Sequence, residues 1–136
     1  MDQILPLLYL GNYRDAIRAI DNKSVDCIIN VSRKSYATPK IGIFCHHIAI
    51  QDINDTSTIP YQKIALDLLI TSIINNQKTL IHCAKGVSRS ATIVILYLMK
   101  INNWPYQAAL NFVKSKRSCI NPTKFTNSIS YISQQF

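Results

Sequence analysis

The chain has 136 residues, 48% of them hydrophobic, and carries 15 Lys+Arg against 7 Asp+Glu for a formal net charge of +8. That length fits one domain, and the apolar fraction excludes wholesale disorder. All seven acids are Asp, which excludes any mechanism needing a glutamate, and eight of the net positive charges fall in residues 61–136, where Asp67 is the one acid.

In chain order, residues 25–31 (VDCIINV) are short and β-branched and read as a buried strand, and residues 43–50 (IFCHHIAI) as another. Between 60 and 76, apolar or small residues at 61, 64, 65, 68, 69, 72 and 73 mark a helical stripe. Ser57 or Thr58 is expected to cap it, with Pro60 in its first turn. Thr79 to His82 reads as a short strand entering a polar turn. From Arg89 to Met99 the chain is too apolar all round for a surface helix and predicts one buried within the domain. A further helix starts near Asn103 with Ala108, Ala109, Phe112 and Val113 on one side. The last has Asn121 as cap, Pro122 at its first position, and Phe125, Ile129 and Ile132 on one face. Strands alternating with helices predict a single α/β domain, residues 1–136, with a central, mostly parallel sheet of about four to five strands flanked by helices.

Three glycines, at 11, 42 and 86, exclude a dinucleotide fingerprint. Cysteines 27, 45, 83 and 119 have neither CxxC nor zinc-type spacing, so no metal is expected. His46-His47 sits in a strand, where alternation sends the rings to opposite faces, which argues against a metal pair. Asp2 and Pro6 argue against a signal peptide. The longest apolar run, residues 91–99, is about half of the ~18 residues that a membrane span needs. The expectation is a soluble intracellular protein of the cytoplasm or nucleus, with reduced thiols, no membrane span and no cofactor.

The chemistry lies in Leu80-Ile81-His82-Cys83-Ala84-Lys85-Gly86-Val87-Ser88-Arg89-Ser90. A loop between a strand and a helix N-terminus points successive N–H groups at one place, and the helix dipole adds partial positive charge. Ala84, Lys85, Gly86, Val87, Ser88 and Arg89 are therefore expected to cradle a phosphate or another oxyanion. Gly86 supplies the backbone freedom, and the planar fork of Arg89 grips two oxygens. The same field favours a Cys83 thiolate, since such thiols ionise below the ordinary value of about 8.5. His82 then fixes the loop and need not act as a base.

This stretch resembles the HCxxGxxR[ST] signature of the cysteine-dependent protein phosphatases. The likeness extends to the compact dual-specificity phosphatases: Leu8-Tyr9-Leu10-Gly11 is similar to their opening strand, Ile28-Ile29-Asn30-Val31 to their next, and Ser90-Ala91-Thr92 with Tyr97-Leu98-Met99-Lys100 to the helix after their phosphate loop. The resemblance implies a metal-independent, two-step reaction through a phosphocysteine on Cys83. It also implies a loop Asp as general acid and then base, and Ser90 hydrogen-bonded to the sulfur. Asp52, at the end of the strand and 31 residues before Cys83, is preferred over Asp55 for the acid. Asn121-Pro122-Thr123 departs from the family's Pro-Asn order, so Asn121 is read as a helix cap. Trp104 and the tyrosines are read as packing the core or its margin.

The expected partner is a phosphorylated protein bearing phosphotyrosine and phosphoserine or phosphothreonine, with Arg33, Lys34, Lys85, Lys116 and Arg117 as candidates for binding acidic or doubly phosphorylated stretches. The same chemistry on an RNA 5′-triphosphate or a phosphoinositide is the alternative. Nucleic acid is not favoured, and the presence of Cys83, Arg89 and Asp52 argues against an inactive phosphosite-binding module. Cys27 is a candidate for a protective disulfide with Cys83. Oligomeric state is not legible.

Overall fold

A computed structural model describes residues 1–37 and 42–136. The elements are β1 (Asp2–Leu5), β2 (Leu8–Gly11), α1 (Tyr13–Asn22), β3 (Cys27–Asn30), β4 (Phe44–His47), α2 (Ile59–Ile74), β5 (Thr79–His82), α3 (Arg89–Asn102), α4 (Tyr106–Lys116) and α5 (Thr126–Ser133). Short 3₁₀ turns at Thr56–Thr58 and Thr123–Phe125 precede α2 and α5. The strands form one five-stranded sheet in the order β1-β2-β5-β3-β4. Only β1 with β2 is antiparallel; β2–β5, β5–β3 and β3–β4 are parallel. This is the α/β domain that alternating strands and helices imply.

Every residue of β3 and β5 is buried, as expected of central strands covered on both faces. Successive side chains alternate: Ile81 packs into the larger core with α2, α3, α4 and α5, and Leu80 into the smaller one with Ala16 and Ala19 of α1. Helix α3 is buried at every position from Ser90 to Leu98, which is why its sequence lacks a polar face. The strand–loop–helix unit that carries the signature thus runs through the middle of the molecule.

Local chemistry moves several boundaries. Helix α1, which the sequence reading did not single out, carries Tyr13, Ala16, Ile17 and Ile20 at helical spacing and opens on a capping box: Asn12 Oδ1 accepts from the N–H of Asp15, and Asp15 Oδ2 accepts from that of Asn12, both at 2.9 Å. Thr58 precedes α2 but makes no capping bond to it, its hydroxyl donating instead to the Asp55 carbonyl. Asp55 accepts from the N–H of Ser57 and so caps the 3₁₀ turn. Asn121 accepts from the N–H of Thr123, 3.3 Å, but is not the helix cap expected of it: Pro122 precedes the turn Thr123–Phe125, which has no side-chain cap, and α5 begins only at Thr126. Asn103, at φ 55°, ends α3, and α4 starts beyond Pro105; Ala109 and Val113 face inward while Ala108 is exposed. Phe125, Ile129 and Ile132 are all buried, and Trp104 packs at the margin against Phe112. Among the described residues no helix is long and apolar enough to cross a membrane.

Candidate active site

Strand β5 ends at His82, and α3 opens at Arg89. Between them the backbone turns its carbonyls outward one after another. The Cys83 carbonyl accepts from His82 Nδ1 at 3.1 Å, and that of Ala84 from the N–H of Tyr13 at 3.1 Å. The Lys85 carbonyl accepts from Arg117 Nη2 at 3.2 Å, and that of Gly86 from Arg117 Nε at 2.9 Å. The Val87 carbonyl accepts from the N–H of Asn121 at 2.8 Å, and that of Ser88 from the N–H of Thr92 at 3.0 Å. Because C=O and N–H of a peptide unit point opposite ways, a loop whose carbonyls are all engaged outside turns its N–H groups inward. Gly86 is required here: its φ is +68°, and a Cβ would lie 2.5 Å from the Gly11 carbonyl oxygen and 2.6 Å from Arg117 Nη2.

Cys83 lies at the bottom of this loop, 2% exposed, with Sγ 3.1 Å from the Ser90 hydroxyl. Burial by itself pushes the thiol up. Hydrogen bonds from the Ser90 hydroxyl and from the N–H groups of Ser90 and Gly86, with the nearby Arg89 guanidinium, outweigh it and leave the group below its ordinary value. Cys83, Ala84, Lys85, Val87, Ser88, Arg89 and Asp52 line one cavity of about 570 Å³, together with Asn121, Thr123 and Lys124. Arg89 Nε and Ser88 Oγ are buried without a hydrogen-bond partner among the described residues, a state that an oxyanion in the cavity would relieve.

His82 and Ser90 stand behind the cavity, fully buried. Burial lowers His82 to about 4 despite the Cys83 carbonyl, so the ring is neutral. A neutral ring has one N–H, and a carbonyl only accepts, so Nδ1 carries the hydrogen and Nε2 accepts from the Tyr36 hydroxyl at 2.9 Å. Tyr36 stacks on His82 with centroids 5.7 Å apart and meets the ring of Tyr13 edge-on. Tyr36 is therefore more than core packing. No motif surrounds it, and only the fold brings it to His82.

Asp52 lies on the exposed loop after β4, and its carboxylate is 3.3 Å from Lys124 Nζ. Asp55 does not line the cavity that holds Cys83; it borders an apolar groove of about 560 Å³ lined by Ile59, Pro60, Phe125 and Tyr131. Of the five basic residues considered for acidic substrates, Lys85 alone lines the cavity that holds Cys83. Lys34 lies over the Tyr13 ring and Lys116 over that of Phe112, while Arg33 borders a separate depression with Gln51 and Tyr61. Arg117 is committed to the loop carbonyls and, at 2.8 Å, to Asp2. Lys124, which the sequence did not single out, takes a place in the cavity instead.

The strand register argues against the candidate disulfide between Cys27 and Cys83. Cys27 pairs in register with Thr79, four residues before Cys83 on the same parallel ladder. At about 3.3 Å per residue the thiols belong to positions roughly 13 Å apart, beyond the ~7 Å Cα separation that a disulfide tolerates. Cys27 is buried, which pushes its thiol up to about 11, the opposite of a reactive partner. His47 Nε2 donates to the Ser32 carbonyl oxygen at 2.8 Å, and no group of three metal-ligating side chains occurs among the described residues.

Comparison with known proteins agrees with this geometry. The dual specificity phosphatase catalytic domain family matches residues 8–135. The chain is 39% identical over 122 residues to 123R of invertebrate iridescent virus 6, a candidate tyrosine phosphatase, covering 88% of this chain and 82% of that protein. It is 38% identical over 119 residues to protein phosphatase Slingshot homolog 1 of Mus musculus, a match that spans 85% of this chain and 11% of that protein's length. In fold it is similar to the crystal structure of human DUSP28, with a TM-score of 0.85 at 22% identity over 99% of this chain and 96% of that one. The chain therefore belongs to the dual specificity phosphatases, a family of cysteine-dependent protein tyrosine/serine/threonine phosphatases.

Proposed function

We propose that residues 1–136 form a catalytic domain that hydrolyses phosphotyrosine and phosphoserine or phosphothreonine in proteins through a phosphocysteine on Cys83. The observation that carries the reading is the convergence on one cavity of a depressed Cys83 thiol, inward loop amides and Arg89. In the first step the Cys83 thiolate attacks phosphorus and the bond from phosphorus to the side-chain oxygen breaks, with Asp52 giving that oxygen its proton. The loop N–H groups and Arg89 hold the three remaining oxygens as charge spreads over them. In the second step Asp52 takes a proton from water as the water attacks phosphorus. The S–P bond breaks, phosphate leaves, and the sulfur departs as a thiolate stabilised by the Ser90 hydroxyl 3.1 Å away.

Cys83→Ser is expected to abolish hydrolysis of aryl phosphates and phosphopeptides while retaining phosphopeptide binding; turnover persisting in that variant would overturn the mechanism. Asp52→Asn is expected to slow turnover with phosphate affinity kept, and an unchanged rate would pass the acid role to Asp55. A panel of phosphotyrosine, phosphoserine and phosphothreonine peptides run beside an RNA 5′-triphosphate and a phosphoinositide identifies the substrate class, with faster turnover of either of the last two refuting the protein assignment.

A further inference from the structure

The loop that carries Asp52 has few ties to the rest of the molecule. Ile50, just before it, is buried and gives its carbonyl to Arg89 Nη1 at 3.0 Å. From Gln51 to Thr56 every residue is exposed. The hydrogen bonds of Asp55 run to its neighbours Ile53, Ser57 and Thr58. Among the described residues, the hydrogen bond and the ion pair that tie residues 51–55 to a distant part of the chain are both made by one ammonium group. Lys124 Nζ donates to the Asp52 carbonyl oxygen at 3.1 Å and pairs with Asp52 Oδ2 at 3.3 Å.

Lys124 is itself firmly based. It lies between buried Pro122 and buried Phe125 in the 3₁₀ turn, which closes with the N–H of Phe125 on the Pro122 carbonyl at 2.8 Å. Its ammonium reaches from that turn into the same cavity as Cys83 and Arg89. By gripping main chain and carboxylate together it restricts both the place of the loop and the rotamer of the acid, and it engages Oδ2 and not Oδ1.

We propose that Lys124 is the positioning residue for Asp52: it ties an otherwise untethered loop to the core so that the carboxyl stands over the leaving oxygen. The inference rests on the reading of Asp52 as general acid. General acid catalysis depends on heavy-atom reach, and a displacement of about 1 Å is already costly. Because both partners are half exposed, the pair is worth little as an isolated ion pair, and its effect is on geometry more than on stability.

The test measures kcat and KM on aryl phosphates of graded leaving-group basicity for the unsubstituted protein, Lys124→Met, Lys124→Arg, Asp52→Asn and the Lys124→Met/Asp52→Asn double variant. Lys124→Met is expected to lower kcat roughly two- to tenfold on phenyl phosphate, with KM little changed, and to leave near its original value the rate on a leaving group acidic enough to depart unprotonated. Lys124→Arg restores most of the loss, and the double variant is no slower than Asp52→Asn alone. A loss equal across all leaving groups, a loss additive with that of Asp52→Asn, or no loss at all overturns the positioning role. If Asp52→Asn itself shows no dependence on the leaving group, the assignment of the acid fails instead, which separates the two outcomes.

Discussion

Arg117 donates from Nε to the Gly86 carbonyl at 2.9 Å while its Nη1 meets Asp2 Oδ2 at 2.8 Å, so one guanidinium joins the phosphate loop to the first strand. With 11% of its side chain exposed it works in a partly desolvated setting, and its planar fork engages three acceptors that an ammonium could not serve together. Arg117→Met should therefore weaken inhibition by orthovanadate and lower kcat/KM by roughly tenfold, with Arg117→Lys recovering only part. Vanadate inhibition constants for the three proteins check this; equal constants would mean that the loop holds its shape without the clamp.

Gly86→Ala places a methyl group against the Gly11 carbonyl and Arg117 at a backbone φ of +68°. The left-handed conformation alone costs a non-glycine residue about 1–2 kcal/mol, and the steric overlap adds to it. The expected outcome is a lower thermal midpoint together with loss of vanadate binding. Retained binding in a folded Gly86→Ala protein would show that the loop does not need this geometry.

The depressed Cys83 thiol predicts that inactivation by iodoacetate reaches half its maximal rate at a pH below that of an ordinary cysteine. Ser90→Ala removes one of the donors, the hydroxyl 3.1 Å from the sulfur, and should move that midpoint upward. Since the thiolate is the attacking form, the rising acid limb of the pH–rate profile should shift in the same direction. A midpoint that stays put in Ser90→Ala would assign the depression to Arg89 and the backbone.

His82 supplies a stability test. The unfolded ring takes a proton as pH falls through about 6.5, the folded ring only near 4. Between those values the unfolded chain binds more protons, so stability falls as the solution is acidified. The contribution is complete above about 6.5 and is diminished by about 3 kcal/mol below 4. Urea midpoints near pH 7 and near pH 4.5 should differ accordingly, and less in His82→Asn, whose side chain does not titrate. The same drop in both proteins would place the sensitivity elsewhere.

The strand–loop–helix unit was legible in the sequence because its signals are local: an apolar strand over residues 79–82, a helix without a polar face, and a motif with fixed spacing. Helix α1 has the apolar stripe Tyr13, Ala16, Ile17 and Ile20 beside the Asn12–Asp15 exchange, but within ten residues these stand among Arg14, Asp15, Arg18 and Asp21, so the stripe is inconspicuous in the sequence. Tyr36 was missed because 46 residues separate it from His82, and pairing across a sheet end leaves no periodic trace. Arg117 was read as a substrate contact because charge alone does not reveal which acceptors surround it. Cys27 was offered to Cys83 because strand register, which separates them, is set by sheet order and not by the sequence of either strand.

The two segments that the bridge between Asp52 and Lys124 joins each contribute to two cavities: Asp52, Thr123 and Lys124 line the one that holds Cys83, and Asn54, Asp55 and Phe125 line the apolar groove with Ile59, Pro60 and Tyr131, nearly equal in size. For inhibitor chemistry the two compartments divide the work. An anionic head group in the first answers to the signature loop and would fit any protein that shares it. An apolar tail seated in the second would meet side chains that owe nothing to that motif, and selectivity can be built there without altering the head.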